Sequence, residues 1–251
     1  MSRSTVNRHT IAALCFAAAS VAYAQVPLGV SSLQVNRMAL AAAELPDAER
    51  LAAVFAIEKV PAGFVFAANE GRANVLAPLP LQEGPPVVLK DVLDRFLAVH
   101  PDYSVGRSDW ALVIQPRTRT TCSDVLSRVL PDAVLADAAY IAFWKLARMV
   151  NPADTPTAVP SVVCGGDCNP GVPQAHNARV AVTLSGTSLQ EALSQLVTQA
   201  PGLVWTMREK RQSQGASSAP PESMCHFGYF DGNQYIQTSY IFAKAPIRER
   251  H

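Results

Sequence analysis

A repeat at a spacing of one hundred residues is the feature of this sequence that most restricts its fold. Residues 89–105 align with residues 189–205 without a gap, so that apolar positions fall on apolar positions and Pro101 falls on Pro201. Each copy has apolar residues at the spacing of a helix with one buried face. The proline then ends the helix, because its ring cannot continue the hydrogen-bond ladder. The sequence therefore predicts two related amphipathic helices.

Alternating apolar residues follow each of these helices. In the first copy Tyr103 and Val105 precede a polar turn, and residues 110–114 return with the same alternation. In the second copy residues 203–207 alternate, and a polar insertion displaces the return strand to residues 225–230. A period of two predicts a hairpin after each helix, with one face packed on that helix.

Each half also contains a second helix pattern upstream, over residues 47–58 and residues 138–150. Extended segments follow at residues 64–66 and residues 180–184. The predicted fold class is therefore α+β, with two small helix-on-sheet units in tandem. In each unit two helices cover one face of a sheet.

The predicted units span residues 25–117 and residues 118–251. The second unit carries two insertions, which are a loop rich in Pro, Gly and Cys at residues 151–179 and a polar loop at residues 211–223. A stretch as long as the first of these, with no periodicity, is either disordered or functional.

Residues 1–24 have the pattern of a targeting segment. Arg3 and Arg8 precede an apolar run, and a small-x-small site ends at Ala24. This pattern predicts a Sec-type signal peptide cleaved after Ala24, and hence a periplasmic or secreted protein. The run is shorter than the ~20 residues that a spanning helix needs, so we do not expect an integral membrane protein.

The charge balance argues against a nucleic acid partner. The chain has 21 Lys and Arg residues against 20 Asp and Glu residues, and removal of the signal leaves 19 against 20. A duplex-binding surface needs many uncompensated basic residues to neutralise phosphates. Attraction to an anionic membrane surface is not expected for the same reason.

Four cysteines follow the signal: Cys122, Cys164, Cys168 and Cys225. An even number in an oxidising compartment favours disulfides. Of the three possible connectivities we favour Cys164 with Cys168, because two glycines make the short loop between them flexible. Cys122 is then left to join Cys225. The alternatives are a structural zinc site, made by four thiols or by three thiols with His226, and free or redox-active thiols.

Aromatic residues are concentrated in the last predicted strands, around an Asp-Gly hairpin turn at residues 231–232. Aromatic rings stack on sugars and anchor protein partners. The competing interpretation is that half of these rings belong to the core. The residues of this possible binding surface are Phe227, Tyr229, Phe230, Tyr235 and Tyr240.

Catalytic and metal-binding motifs are not found in the sequence. It has neither a Gly-x-Ser-x-Gly elbow nor a His-Glu-x-x-His pair. His100 ends the first repeated helix, where positive charge interacts favourably with the helix dipole, so we favour a capping role. His176 lies in the long loop, and His226 neighbours Cys225 on a strand, where adjacent side chains point to opposite faces. We therefore predict no metal, no cofactor and no enzymatic activity.

The second copy of the repeat resembles the short N-terminal domain of secretins and TonB-dependent receptors. The resemblance rests on residues 182–193, where alternating apolars lead through a glycine into Leu-Gln-Glu-Ala-Leu, and on the Pro-Gly-Leu-Val-Trp run at residues 201–205. The first copy is similar but looser over residues 88–94 and 103–114. What the resemblance implies is a periplasmic module that docks on protein partners without catalysis.

No channel or barrel sequence accompanies this module, so we expect an accessory subunit or adaptor. The expected function is docking on a cell-envelope protein. One alternative is an extracytoplasmic ligand- or glycan-binding protein that uses the C-terminal aromatic hairpin, and an uncharacterised hydrolase is less favoured. The sequence does not determine the partner or the oligomeric state.

Overall fold

A computed structural model describes residues 34–35, 47–67, 87–150, 175–211, 223–232 and 234–242. The predicted signal peptide, Cys164 and Cys168 lie outside these residues, as does most of each predicted loop insertion. Within the part that is described, no helix combines the length and the apolar character needed to cross a membrane.

The first half of the chain forms the predicted helices and the predicted hairpin. The helix predicted over residues 47–58 ends one residue early, and the repeated helix begins at Leu89 and ends just before His100. The elements in chain order are β1 (Gln34–Val35), α1 (Asp47–Ile57), β2 (Ala62–Phe66), β3 (Val87–Val88), α2 (Leu89–Val99), β4 (Tyr103–Arg107) and β5 (Leu112–Pro116).

The second half contains the second copy of the repeated helix and the longest strands. Its first helix and first strand, over residues 121–126 and 133–138, were not predicted from the sequence. The elements are α3 (Thr121–Leu126), β6 (Ala133–Ala138), α4 (Ala139–Val150), a 3-10 turn (Ala175–Asn177), β7 (Arg179–Leu184), α5 (Leu189–Gln199), β8 (Leu203–Arg211), β9 (Ser223–Asp231) and β10 (Gln234–Phe242).

Six strands from both halves form one mixed sheet, in the order β10-β9-β8-β2-β5-β4. Strand β2 lies at the junction and runs parallel to both β5 and β8, whereas the other neighbours are antiparallel. The α+β class is confirmed. The expectation that each unit has a separate main sheet is wrong, because a strand of the first half pairs directly with a strand of the second.

The physical reason for the shared sheet is that β2 is apolar on both faces. Phe64 and Phe66 belong to the core on one side of the sheet, and Val65 belongs to the core on the other side. All five residues of β2 are buried. A strand with two apolar faces needs cover on both sides, which a single unit with one helical layer does not provide.

The helices of the two halves cover opposite faces of this sheet. Phe96 of α2 packs in the same core as Phe64, together with α1. Leu193 of α5 packs in the core that contains Val65, together with α3 and α4. The two repeated helices are therefore separated by the sheet that their hairpins share.

Two short ribbons lie outside the main sheet, one formed by β1 with β3 and the other by β6 with β7. Helix α5 contacts both β7 and β8, so it separates the second ribbon from the main sheet. The start of α5 is fixed by a capping box. The Ser188 hydroxyl accepts from the backbone N–H of Glu191, and the Glu191 carboxylate accepts from the N–H of Ser188.

Candidate docking surface

The disulfide between Cys122 and Cys225 is present and joins α3 to β9, with the two Cα atoms 5.4 Å apart. Both cysteines are fully buried. This confirms the predicted pairing of these two residues, and it removes both thiols as zinc ligands. In the described part of the chain, no group of three or more His, Cys, Asp or Glu residues is placed to hold a metal ion.

The aromatic surface predicted near the C terminus is contradicted by burial at three of its five residues. Phe227, Tyr229 and Phe230 are all 0% exposed. Phe227 and Tyr229 pack against Phe143 of α4, the latter in a stacked arrangement with ring centres 4.8 Å apart, whereas Phe230 points to the α1 side. Tyr235 is 36% exposed, and the side chain of Tyr240 lies outside the described part of the structure.

These rings are in the core because β9 is covered on both faces, as β2 is. The sequence pattern placed Phe227 and Tyr229 on one face of a strand and Phe230 on the other, which is correct. It did not show that helices from different halves cover both faces. A stacking platform for a glycan therefore does not exist at these three positions.

Tyr229 carries a buried hydroxyl with no hydrogen-bond partner among the described residues. Burial, with a smaller contribution from the charge of Asp231, raises the pKa of this phenol above its usual range. The folded state therefore keeps Tyr229 protonated at a pH where the unfolded chain ionises. Stability from this group is present below the unfolded pKa of about 10 and is lost as the pH rises above it.

We expect Tyr229→Phe to leave stability at neutral pH unchanged or to raise it by about 1 kcal/mol, since it removes a buried hydroxyl that bonds to nothing described. The alkaline loss of stability should also become smaller. Urea denaturation of the variant and the parent at about pH 7 and about pH 11 tests both statements. A variant that is clearly less stable at neutral pH would show that the hydroxyl has a partner.

The three predicted histidine roles have different outcomes. His100 is the C-cap residue of α2, where its backbone N–H donates to the C=O of Phe96, and its Nε2 lies 3.2 Å from Oδ2 of Asp47. The interaction of its charge with the helix dipole stays a prediction. His226 is buried on β9. His176, which the sequence placed only in a long loop, is buried and bonds through Nδ1 to Asp231.

The pair formed by His176 and Asp231 fixes the 3-10 turn to the end of β9. The Asp231 carboxylate also accepts from the backbone N–H groups of Ala175 and His176, at 3.3 Å each. The Tyr140 ring contacts the imidazole edge-on, with centres 6.2 Å apart. A half-buried carboxylate with these donors holds two chain segments together, so we assign the pair a structural role. Sequence reasoning identified Asp231 only as a turn residue.

The β6–β7 ribbon has one buried face and one exposed face. Leu135 of β6 and the alternate apolar residues of β7 point into the core. The opposite face is formed by small side chains together with one large apolar residue, Val134, and one charged residue, Arg179, at its end. The exposed side chains on this face are Val134, Ala136, Arg179, Ala181 and Thr183.

The outer edge of β7 is closed by a side chain. The Gln199 amide accepts from the N–H of Ala181 through Oε1 and donates to the C=O of Ala181 through Nε2, at 2.8 Å each. A glutamine placed in this way occupies the positions that a neighbouring strand would use. No described residue makes such bonds to the outer edge of β6.

Two exposed apolar side chains belong to β6 and the segment that leads into it. Val129 is 67% exposed and Val134 is 69% exposed, which makes them the most exposed large hydrophobic residues of the described chain. By comparison, Trp110, on the turn between β4 and β5, is 42% exposed. The candidate docking surface consists of residues 129–136, that is, strand β6 and the segment that leads into it.

Sequence reasoning missed this surface for a physical reason. Residues 133–138 read Ala-Val-Leu-Ala-Asp-Ala, a segment in which alanine and aspartate are poor strand formers. Its strand state depends on pairing with β7 along its whole length. The sequence contains no local signal for that pairing.

No protein-family model matches this chain, and no curated protein sequence or solved structure matches it either.

Proposed function

We propose that this protein is an exported, non-catalytic interaction module that docks on a protein of the cell envelope through the surface at residues 129–136. The observation that carries the proposal is the exposure of Val129 and Val134 beside a strand edge with open main-chain groups. Natural proteins rarely leave an apolar edge strand uncovered, since such an edge pairs with other chains.

Three further features support the proposal. The Cys122–Cys225 disulfide is compatible with an extracytoplasmic location. The sequence resembles the short N-terminal domain of secretins and TonB-dependent receptors, which are docking modules of the envelope. Each half also has a short two-stranded ribbon in addition to its strands of the main sheet.

The test is crosslinking of the tagged protein in its own cell envelope, with Val134→Asp as the variant. A charge at the centre of an apolar contact is costly to bury, so we expect recovery of the partner to fall by roughly tenfold or more. The fold should be unaffected, because the Val134 side chain points away from the core. Quantitative mass spectrometry of the recovered partner, with circular dichroism of the variant, measures both effects.

Trp110→Asp is the matched control, since it places the same charge at an exposed apolar residue elsewhere, on the turn between β4 and β5. Loss of the partner with Val134→Asp alone supports the proposed surface. Equal recovery with both variants and the parent, or no partner at all, contradicts it.

A further inference from the structure

The main-chain groups of β6 that point away from β7 are identified by the Gln199 contact. Ala181 uses both its N–H and its C=O on Gln199, so neither group bonds to β6. Ala181 lies opposite Ala136 in the antiparallel register. In such a ladder, hydrogen-bonded and non-bonded pairs alternate, and the groups of a non-bonded pair point outward on both strands.

It follows that the N–H and C=O of Ala136 point to the outer edge of β6. Val134, two residues earlier and opposite Thr183, has the same orientation. The N–H of Ala139 donates to the C=O of Ala178 at 2.9 Å, so the main-chain groups of the residues that alternate with Val134 and Ala136 point toward β7. Strand β6 therefore presents two donors and two acceptors in a row, with no described group bonded to them.

We infer that this edge is a strand-addition site, which takes an extended segment of the partner protein as a third strand of the ribbon. This inference rests on the proposed docking function and specifies its mode. The asymmetry of the ribbon is the main argument. At Ala181 the edge of β7 is closed by Gln199, whereas no described residue bonds to the edge of β6, the strand that carries the exposed Val134. In strand addition, main-chain bonds provide affinity and alternate side chains provide specificity.

Strand β4, at one edge of the main sheet, is a weaker candidate. Strand β4 exposes only Arg107, and its remaining residues are buried or half-buried. A basic residue on an edge strand discourages pairing with another chain.

The side chains of β6 also indicate the composition of the added strand. Asp132 immediately precedes β6 and is exposed, and Asp137 lies within it and pairs with Lys145 at 2.6 Å. An acidic residue of the added strand placed beside Asp132 would be unfavourable. The segment that fits is extended and uncharged or basic, with small or β-branched residues at alternate positions next to Val134.

The test uses proline substitutions in the full oxidised protein. Ala136→Pro removes an outward N–H and adds a ring to the outer edge, but it breaks no bond between β6 and β7. Thr183→Pro is the matched control, since by the same register its N–H points outward from the opposite edge of the same ribbon. Thermal unfolding of both variants checks that the ribbon is retained.

The probe is a synthetic peptide selected from a phage library of random twelve-residue peptides on the purified protein. We expect peptides with alternating small or β-branched residues and at least one Lys or Arg. Their affinity should fall by roughly tenfold or more in Ala136→Pro and stay within about twofold of the parent in Thr183→Pro. Hydrogen exchange should show new protection at the amides of Val134 and Ala136 when the peptide is bound.

Three results would overturn the inference. These are equal peptide affinity in Ala136→Pro and the parent, a library that yields no binder, and a dimer of the free protein that Ala136→Pro abolishes, which would make the occupant a second copy. The envelope crosslinking with Val134→Asp is independent of these results. A partner lost in that experiment with peptide binding unaffected by Ala136→Pro would leave the docking function standing and reject strand addition alone.

Discussion

Replacing Gly63 with alanine is expected to disrupt the centre of the sheet and to lower the free energy of unfolding by about 3 kcal/mol or more. Gly63 lies in β2 directly beside Trp205 of β8. A Cβ atom at this position would overlap the Cε2 and Cζ2 atoms of the buried Trp205 indole. Neither the ring nor the central strand has free space into which to move. Urea denaturation followed by tryptophan fluorescence measures the loss.

Gly106→Ala is the matched control for this substitution. Gly106 also lies in a strand of the main sheet, but the nearest atom to an added Cβ is the backbone oxygen of Val113 at 3.7 Å, an ordinary contact. We expect Gly106→Ala to change stability by less than about 1 kcal/mol. In the background of Trp205→Ala, the added cost of Gly63→Ala should largely disappear, because the clash is with the indole. An additive double variant would contradict this explanation.

Removal of the Cys122–Cys225 disulfide is expected to be the other large effect. The bond joins residues 103 positions apart and links a short helix to a strand of the shared sheet. A cross-link over a loop of this length strongly restricts the unfolded chain, so replacing both cysteines with alanine should cost about 2–5 kcal/mol. Urea denaturation of the variant and of the reduced parent measures the cost.

The control for this experiment is the double variant Cys164→Ser/Cys168→Ser, which leaves the Cys122–Cys225 bond in place. We expect it to lose less stability, because a disulfide across so short a loop restricts the unfolded chain much less. Peptide mapping without reductant should recover the linkage between Cys122 and Cys225 in this control. A different pairing, or a larger loss from the control than from the Cys122/Cys225 variant, would contradict the assigned role.

The Gly63 effect concerns the joint between the two halves of the chain, whereas the disulfide links two elements of the second half. Trp205 of the second half lies against Gly63 of the first, and Arg208 of β8 forms an ion pair with Glu49 of α1. These contacts show why tandem units were a natural but incomplete prediction. The repeat predicted the helix and the hairpin of each copy correctly, but it contained no information on how the two hairpins pair in one sheet.

The sequence predictions were accurate where the residues that determine an element lie close together along the chain. The helices α1, α2, α4 and α5 were predicted to within one or two residues, because the apolar stripe and the terminating prolines lie within a few residues of each other. The β9–β10 hairpin was predicted from its alternation and from Asp231-Gly232, where Gly232 has a positive φ of 58°. These signals do not depend on the rest of the fold.

The candidate docking surface shows the opposite case. Val134 and Ala136 are exposed only because β6 pairs with β7 through its other edge, and the edge of β7 is closed only because Gln199 of α5 reaches Ala181. The β6–β7 pairs join residues 41 to 51 positions apart, and Gln199 lies 18 residues from Ala181. No local pattern in residues 129–136 indicates them.

The sequence by itself determined the helices α1, α2, α4 and α5, the hairpins and the α+β class, because periodicity and turn residues are properties of the chain alone. It favoured the pairing of Cys122 with Cys225 among three possible connectivities. Only the tertiary structure decided that one sheet serves both halves, that Phe227, Tyr229 and Phe230 are core residues, and that β6 has an open edge. The physical reason is that burial of a strand face or edge depends on which distant element covers it. Alternation along a strand shows which residues share a face, but it does not show which element packs on that face.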